Sequence, residues 1–388
     1  MTVATNKVLF FIGADWYFCS HRLDLALGLR QAGYDVAVLT HVTAPQYRDR
    51  ILASGFRLIE SPLQRGSMNP FSDVRAMGST LRTYRAERPE LAHHVGIKPI
   101  LYGSLACVLT STPAFVNAFA GTGYLFNSSH TKARAVRTVV SRLMRALINR
   151  GNSRIILQSP EAREELVASG MADADRIVLI RGSGVDLSVF APVPEPPGRV
   201  TVVLPARMLW EKGVGDFVEA ARILAAERVP VSMVLVGAPD RANPATISER
   251  QLEEWRKSGV VDWLGHRTDM ASVMAASHVV CLPSHHEGVP KVLIEAAASA
   301  RPIVASDIPG CREIVRHMEN GLLFRKEDPK SLAEAIRRLV EDAPLRARLG
   351  RRGRAMAEAS FSIEQVVEQT TRLYESLLHH RPKNRGIA

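Results

Sequence analysis

The chain has 388 residues, 46% hydrophobic and 23% charged, with a formal net charge of +11. That length suits two domains of about 150–200 residues, each with its own core, and no run of about 18 apolar residues exists to cross a membrane. Four cysteines (Cys19, Cys107, Cys281, Cys311) stand far apart without C-x-x-C spacing, which argues against a disulfide framework or a zinc site and for a reducing cytoplasm.

In chain order, "VLFFIG" reads as a first strand, because the N-terminal apolar run is interrupted by Asp15 and is too short for a signal peptide. "HRLDLALGLRQAG" follows with helical spacing and closes on Gly33. "DVAVLT", "FRLIESP", "LAHHVG", "PAFVNAF", "RIILQS" and "RIVLIRG" are further short apolar runs with helical stretches between them. Such alternation is the βαβ pattern of a parallel sheet covered on both faces. Pro192, Pro194, Pro196 and Pro197 interrupt it and mark a linker. It restarts with "VTVVLPAR", "VSMVLVG", "VVDWLG", "HVVCLPS" and "PIVASD", then turns helical from Pro329 to "FSIEQVVEQTTRLYESLL" and a basic tail. The predicted architecture is α/β. A Rossmann-like domain spans 1–190, a linker 191–198 and a second Rossmann-like domain 199–360, and a C-terminal helix with its tail (361–388) returns to the first domain. The cleft between two such domains is the default ligand site.

The positive charge is uneven. Residues 1–190 hold 22 Lys and Arg against 14 Asp and Glu, a net of +8, and the remainder 28 against 25, a net of +3. No acid occurs from Leu91 to Pro160, where eight basic residues stand. In the densest part, 131–150, Arg134, Arg137, Arg142, Arg145 and Arg150 interleave with apolar residues as a basic amphipathic helix. A solvated helix face is one reading and an anionic membrane surface the sharper one. Nucleic acid is not expected, since 6% aromatic content and no helix-turn-helix pattern leave nothing to read or stack on bases.

In open α/β sheets ligands bind beyond the carboxyl ends of the strands. After "VTVVLPAR" come Arg207, Lys212 and Gly213: two cations and a helix N-terminus, which can hold an anion. After "HVVCLPS" comes "HHEGVPKVLIE". There Glu287 sits in the loop and Glu295 about five residues into an otherwise apolar helix, ~7.5 Å along its axis. Pro290 fits the first helical turn. Glu287 could simply cap, and Glu295 could pair with a nearby cation. Together with Arg207 and Lys212 they suit a ligand with hydroxyls at both ends and phosphate between, such as a nucleotide sugar.

"ARMLWEKGV" with "EGVPKVLIEAAASARPIVASDIPGCREIV" resembles the retaining GT-B glycosyltransferases of family four. Within them the chain is most similar to the capsular and lipid-linked oligosaccharide group, including undecaprenyl-diphosphate-sugar N-acetylgalactosaminyltransferases. Counterparts to "SHRLDLALGLRQAGYDV", "HHVGIKPILYGSLA", "VNAFAGTGYLF", "GSGVDLSVF", "LGHRTDM" and "NGLLF" extend the likeness over nearly the whole chain. The resemblance implies that Glu287 binds the transferred sugar, Glu295 the ribose, and Arg207 and Lys212 the diphosphate, assisted by the amides of Gly288 and Val289. It puts Gly265, His266 and Arg267 by the base, with Gly13 on the donor side, whereas Asp269 reads by its own chemistry as a helix N-cap. For the acceptor it offers His21, Arg22, His93, Lys98, Gly121, Thr122 and Gly123; the histidine that many relatives carry before that glycine loop is Ala120 here. His93 and His94 would end a strand, and a packed histidine is the alternative for His93.

The expected reaction is retaining transfer of a hexose or N-acetylhexosamine from a UDP-sugar to a polyprenyl-diphosphate-linked sugar. The enzyme would be cytoplasmic, at the inner face of the cell membrane, with no metal and no cofactor beyond the nucleotide sugar. "DAD" at Asp173–Asp175 matches a metal-binding D-x-D but precedes a strand, as a solvated turn does. A soluble acceptor, a nucleotide-sugar epimerase and a non-catalytic binding module are the rivals. A nicotinamide enzyme is disfavoured by the lack of G-x-G-x-x-G after the first strand.

Overall fold

The computed structural model describes residues 6–64, 69–119, 131–240 and 243–379, with backbone alone for Pro70 and for 131–139. It divides into two compact units, Met1–Ser183 with Ile363–Ala388, and Gly184–Ser362.

The first unit is built on a seven-stranded parallel sheet: β1 (Lys7–Ile12), β2 (Asp35–Thr40), β3 (Arg57–Glu60), β4 (Leu91–Val95), β5 (Ala114–Ala118), β6 (Ser153–Leu157) and β7 (Ile177–Leu179). Their order across the sheet is β3-β2-β1-β4-β5-β6-β7, so the order reverses between β1 and β4. Alternation along β1 explains the two cores. Val8, Phe10 and Ile12 pack with Leu25, Leu29, Val366 and Tyr374 on one face, and Leu9 and Phe11 with Tyr84 and Ala106 on the other.

The second unit repeats the plan with six parallel strands: β8 (Val200–Pro205), β9 (Val231–Val236), β10 (Asp262–Trp263), β11 (Val279–Leu282), β12 (Ile303–Ser306) and β13 (Gly321–Phe324), ordered β10-β9-β8-β11-β12-β13. Val202 and Leu204 face Phe217, Leu224 and Leu332, whereas Val203 faces Leu293, Ile294 and Ala297. The strand β13 was absent from the sequence expectation. Its "GLLF" is only four residues long, begins with glycine and lacks a β-branched residue.

The segment expected as a free linker is strapped to the second unit. Arg301, 2% exposed, donates from Nη2 to the Pro194 carbonyl (3.2 Å), and Arg346 bonds the Glu195 carboxylate (3.0 Å). The division falls at Ser183/Gly184 rather than at 190 because Val185 pairs with Ser362 and donates to the Phe361 carbonyl (2.9 Å). The helix Ile363–His379 belongs to the first unit and packs on the helix Leu23–Gln31.

That helix pair meets at Gly28, where an added Cβ would lie 2.3 Å from Val367 Cγ2 and 3.0 Å from Cγ1. Gly28→Ala should therefore destabilise the protein by about 1–2 kcal/mol, because overpacking outweighs the gain in helix propensity. Adding Val367→Ala should recover most of the loss in a chemical-denaturation series, and additive losses would refute the clash.

Candidate active site

The two strands at which the second sheet reverses order, β8 and β11, open a crevice at their carboxyl ends. The chain leaves β8 through Arg207 and a 3-10 turn, Trp210–Lys212, into the helix Val214–Ala226. Gly213, at φ 68°, lies so close to the end of β11 that a Cβ would sit 2.0 Å from the Pro283 carbonyl oxygen. The chain leaves β11 through Ser284–Val289 into the helix Lys291–Ala298, with Pro290 as its N-cap, one residue ahead of the expected position. On the far side of that loop, a Cβ on Gly310 would lie 2.0 Å from the Gly288 carbonyl oxygen. Two glycines thus pin the Glu287 loop from both sides.

Within this crevice Lys212 Nζ donates to Glu287 Oε1 at 2.6 Å, and Ser284 Oγ donates to the same oxygen at 2.8 Å. Lys212 and Glu287 are largely buried, with side chains 17% and 13% exposed, so their pairing is screened less than a surface ion pair. Arg207 Nη1 donates to Asp240 Oδ2 at 2.7 Å. Glu295 is the fifth residue of its helix and lies 3.8 Å from Lys291, one turn earlier. Leu293 N bonds the Pro290 carbonyl, and the first amides of this helix have no partner within it, as at any helix start. Burial beside the Glu287 charge pushes the Cys311 thiol up, which keeps that group neutral.

The loops after β9 and β10 join the same edge. Gly237, where a Cβ would lie 1.8 Å from the Ala206 carbonyl oxygen, donates to the Gly265 carbonyl at 2.7 Å, and Trp263 Nε1 donates to the Gly237 carbonyl. Gly265, His266 and Arg267 are thereby stitched to the loop that carries Arg207. His266 and Arg267 are exposed. Asp269 stands at the N-cap position but does not cap. Its carboxylate accepts from Arg267 Nε at 2.8 Å, and that guanidinium holds it down at about 2.

Sequence reasoning missed Asp240, Ser284, Asp216 and His285. His285 N donates to the Glu211 carbonyl (2.9 Å), its Nε2 lies 2.9 Å from Asp216 Oδ2, and its Nδ1 lies 3.7 Å from Glu327 Oε1. The His285 amide therefore ties the Glu287 loop to the turn that carries Lys212, and its imidazole ties it to the helix that follows. Asp240 follows β9 just as Arg207 follows β8, so extending the strand-end search to acids would have found it. Replacing His285 with alanine should lower turnover about tenfold through misplacement of Glu287. Asparagine, which keeps a donor for Asp216, should restore part of it. Equal loss in both variants would show that the Asp216 contact does not position the loop.

In the first unit the corresponding reversal lies between β1 and β4. Gly13 follows β1, and a Cβ there would lie 3.8 Å from Pro99 in the helix Ile97–Thr110, which starts after β4. His21 is half-buried, stacked on Tyr17 with ring centroids 4.3 Å apart. Arg22 is buried and donates to the His21 carbonyl and to Ser183 Oγ. Lys98 is paired with Asp73 at 2.8 Å.

His93 and His94 sit in the middle of β4 rather than at its end, and both are buried. His93 Nδ1 lies 2.5 Å from the Tyr374 hydroxyl and its ring stacks on Phe10, so it is a core residue rather than an acceptor ligand. Its strand position points the side chain into one face of the sheet, away from the ligand-binding end. Gly121, Thr122 and Gly123 lie outside the described residues.

Comparison with known proteins bears on this arrangement directly. The model of the glycosyl transferase 4-like domain matches residues 20–183, and that of glycosyl transferases group 1 matches 199–342. A Campylobacter jejuni N,N'-diacetylbacillosaminyl-diphospho-undecaprenol alpha-1,3-N-acetylgalactosaminyltransferase is 25% identical over 92% of this chain and 95% of its own length. A D-inositol 3-phosphate glycosyltransferase of Paenarthrobacter aurescens is 26% identical over 90% of each. The crystal structure of Anabaena HepE in complex with UDP and glucose superposes with a TM-score of 0.77 at 19% identity, covering 96% of this chain and 100% of that one. Both halves of the chain thus match by sequence and by fold, and the crevice between β8 and β11 carries the paired cations and carboxylates that the sequence motif announces. The chain belongs to the group 1, family-four glycosyltransferases and has their GT-B fold.

Proposed function

We propose that this glycosyltransferase moves a hexose or N-acetylhexosamine, with retention, from a UDP-sugar to a polyprenyl-diphosphate-linked sugar in surface-polysaccharide assembly. The observation that carries the donor side is the pairing of Lys212 with Glu287 at the strand-order reversal, on the same chain segment after β8 that carries Arg207. A diphosphate entering the crevice takes Lys212 and Arg207 from their carboxylate partners, which frees Glu287 for the sugar hydroxyls. As the bond from the anomeric carbon to the phosphate oxygen breaks, charge grows on the diphosphate and the two cations stabilise it. The acceptor hydroxyl bonds to the anomeric carbon from the same face and gives its proton to the departing phosphate. Glu295 holds the ribose, and Gly265, His266 and Arg267 border the base. The two side-chain cations take the role that a metal ion plays elsewhere, and no further cofactor is required.

The lipid-linked acceptor rests on the Campylobacter relative and on charge. Basic residues stand without acids from 91 to 160, and the helix Thr131–Ile148 within that window keeps Arg142 and Arg145 exposed. That surface favours the anionic inner face of the cell membrane. Among the described residues no helix is long and apolar enough to cross it. The inositol-phosphate relative supports the second reading, a soluble phosphorylated acceptor. The two separate when labelled UDP-sugars are offered with membrane lipids. Label extracted into the organic phase supports the lipid-linked acceptor, whereas label left in water with UDP released supports the soluble one.

A further inference from the structure

The helix Pro70–Glu87 presents a stripe to solvent that no ligand role above uses. Phe71 is 87% exposed and Val74 73%, and Arg75, Gly78, Arg82 and Arg85 are exposed as well. At 100° per residue these six positions fall within about 100° of the helix circumference. The apolar pair occupies the first turn and the three arginines follow along the next ~15 Å. No acid shares the stripe. Asp73 faces Lys98 (2.8 Å), and Glu87 is held by Lys7 (2.7 Å) and Arg57. Among the described residues none of the three arginines has a hydrogen-bond or carboxylate partner. Large apolar side chains this exposed, beside unneutralised cations, suit a surface that is itself apolar beneath an anionic layer.

We infer that this helix is a docking face for an anionic lipid bilayer, with Phe71 and Val74 entering the headgroup boundary and Arg75, Arg82 and Arg85 lying along the phosphates. Asn69 caps the helix from its side chain and the helix follows β3. Its first turn therefore stands at the carboxyl edge of the sheet, the edge on which Gly13 and Lys98 also lie. The bilayer would meet the first unit where a lipid-borne acceptor must be presented. The inference rests on the proposed lipid-linked acceptor for its purpose, but not for its test.

The test is co-sedimentation of the full chain with vesicles of phosphatidylcholine alone and of phosphatidylcholine with phosphatidylglycerol. Wild-type protein should sediment with the anionic vesicles and be released by salt. Each arginine contributes about fivefold to partitioning, so Arg75→Gln/Arg82→Gln/Arg85→Gln should lose about a hundredfold. Phe71→Ser/Val74→Ser should lose about tenfold or more and keep the salt sensitivity. All five side chains are exposed, so folding should be unaffected, which circular dichroism checks. Wild-type protein that stays in the supernatant, or undiminished sedimentation of both variants, overturns the inference. So does a loss confined to Arg142→Gln/Arg145→Gln, which places docking on the other helix. No sugar enters this assay. A wild type that docks through Phe71 yet labels only water-soluble products would sink the lipid-linked acceptor and leave the docking face standing.

Discussion

Lys212→Ala should lower kcat for sugar transfer by about 10³-fold, the largest effect expected of any single replacement in the crevice. Two losses combine. The growing charge on the leaving diphosphate is deprived of a cation in a largely buried site, where a well-placed donor is worth ~3–4 kcal/mol. In addition Glu287, 13% exposed and bonded to Lys212 at 2.6 Å, loses its counter-charge and faces the incoming anion uncompensated. Glu287→Ala should cost about 10²-fold, because the sugar loses its hydroxyl acceptor while Lys212 is set free for phosphate. The effects should not add. In the double variant the repulsion between Glu287 and diphosphate is gone, so its loss should fall short of the product of the two single losses. Arg207→Ala should cost less than Lys212→Ala, since Arg207 and its partner Asp240 are 38% and 30% exposed and water takes over part of their work. Steady-state transfer from a UDP-sugar decides the matter. A Lys212→Ala enzyme within tenfold of wild type, or strict multiplicativity in the cycle, would remove Lys212 from the mechanism proposed.

The second large effect is on stability and runs with pH. His94 is enclosed on the sheet face opposite His93. Its Nδ1 lies 2.7 Å from Asn117 Oδ1, its Nε2 lies 2.9 Å from the Tyr84 hydroxyl, and Gly103 makes room for the ring, since a Cβ there would stand 2.4 Å from it. Burial disfavours the imidazolium and brings His94 down to about 4, against a weaker upward pull from Asn117. Burial, together with the Arg22 charge, moves His93 in the same direction. Because these folded-state values lie below the unfolded one, the unfolded chain binds more protons at mildly acid pH. Stability is therefore complete above about pH 6.5 and falls as pH drops from there toward about 4. His94 alone accounts for about 3 kcal/mol of that fall, at roughly 1.4 kcal/mol per unit. Denaturant titrations at about pH 7 and about pH 4.5 should show it. Replacing His94 with glutamine should lower stability at neutral pH yet flatten the slope. Parallel pH profiles for wild type and variant would rule out His94 as its source.

The βαβ alternation was legible because eleven of the thirteen described strands carry β-branched residues, and because parallel strands buried on both faces read as continuous apolar stretches. The proposed site was legible for a related reason: Arg207, Lys212 and Glu287 each follow a strand at the edge where such sheets bind ligands. What failed to show was pairing. Nothing in the sequence says that Asp240 lies against Arg207 across 33 positions, or His285 against Asp216 across 69; those contacts exist only once β8, β9 and β11 stand side by side. For His93 the sequence left two readings, acceptor ligand and packed histidine, because its partner, Tyr374, comes from the far end of the chain, 281 residues on. The proline-rich segment read as a linker because each proline lacks the N–H that a strand or helix interior needs. The buried Arg301 and Arg346 that hold it down are more than a hundred residues away.

The bridge between Val185 and Ser362 has a further meaning. The chain enters the second unit and leaves it at two points one strand-spacing apart, ~4.8 Å, and all of 184–362 hangs between them. In topological terms the second unit is an insertion in the first, and the last helix is the resumption of an interrupted first unit. An insertion with adjoining ends imposes one short gap to close and no long path to rebuild, the circumstance in which whole domains are gained, lost or exchanged with least disturbance to the host. The two units can accordingly change at different rates, the inserted cassette being replaced without rebuilding the frame that receives it.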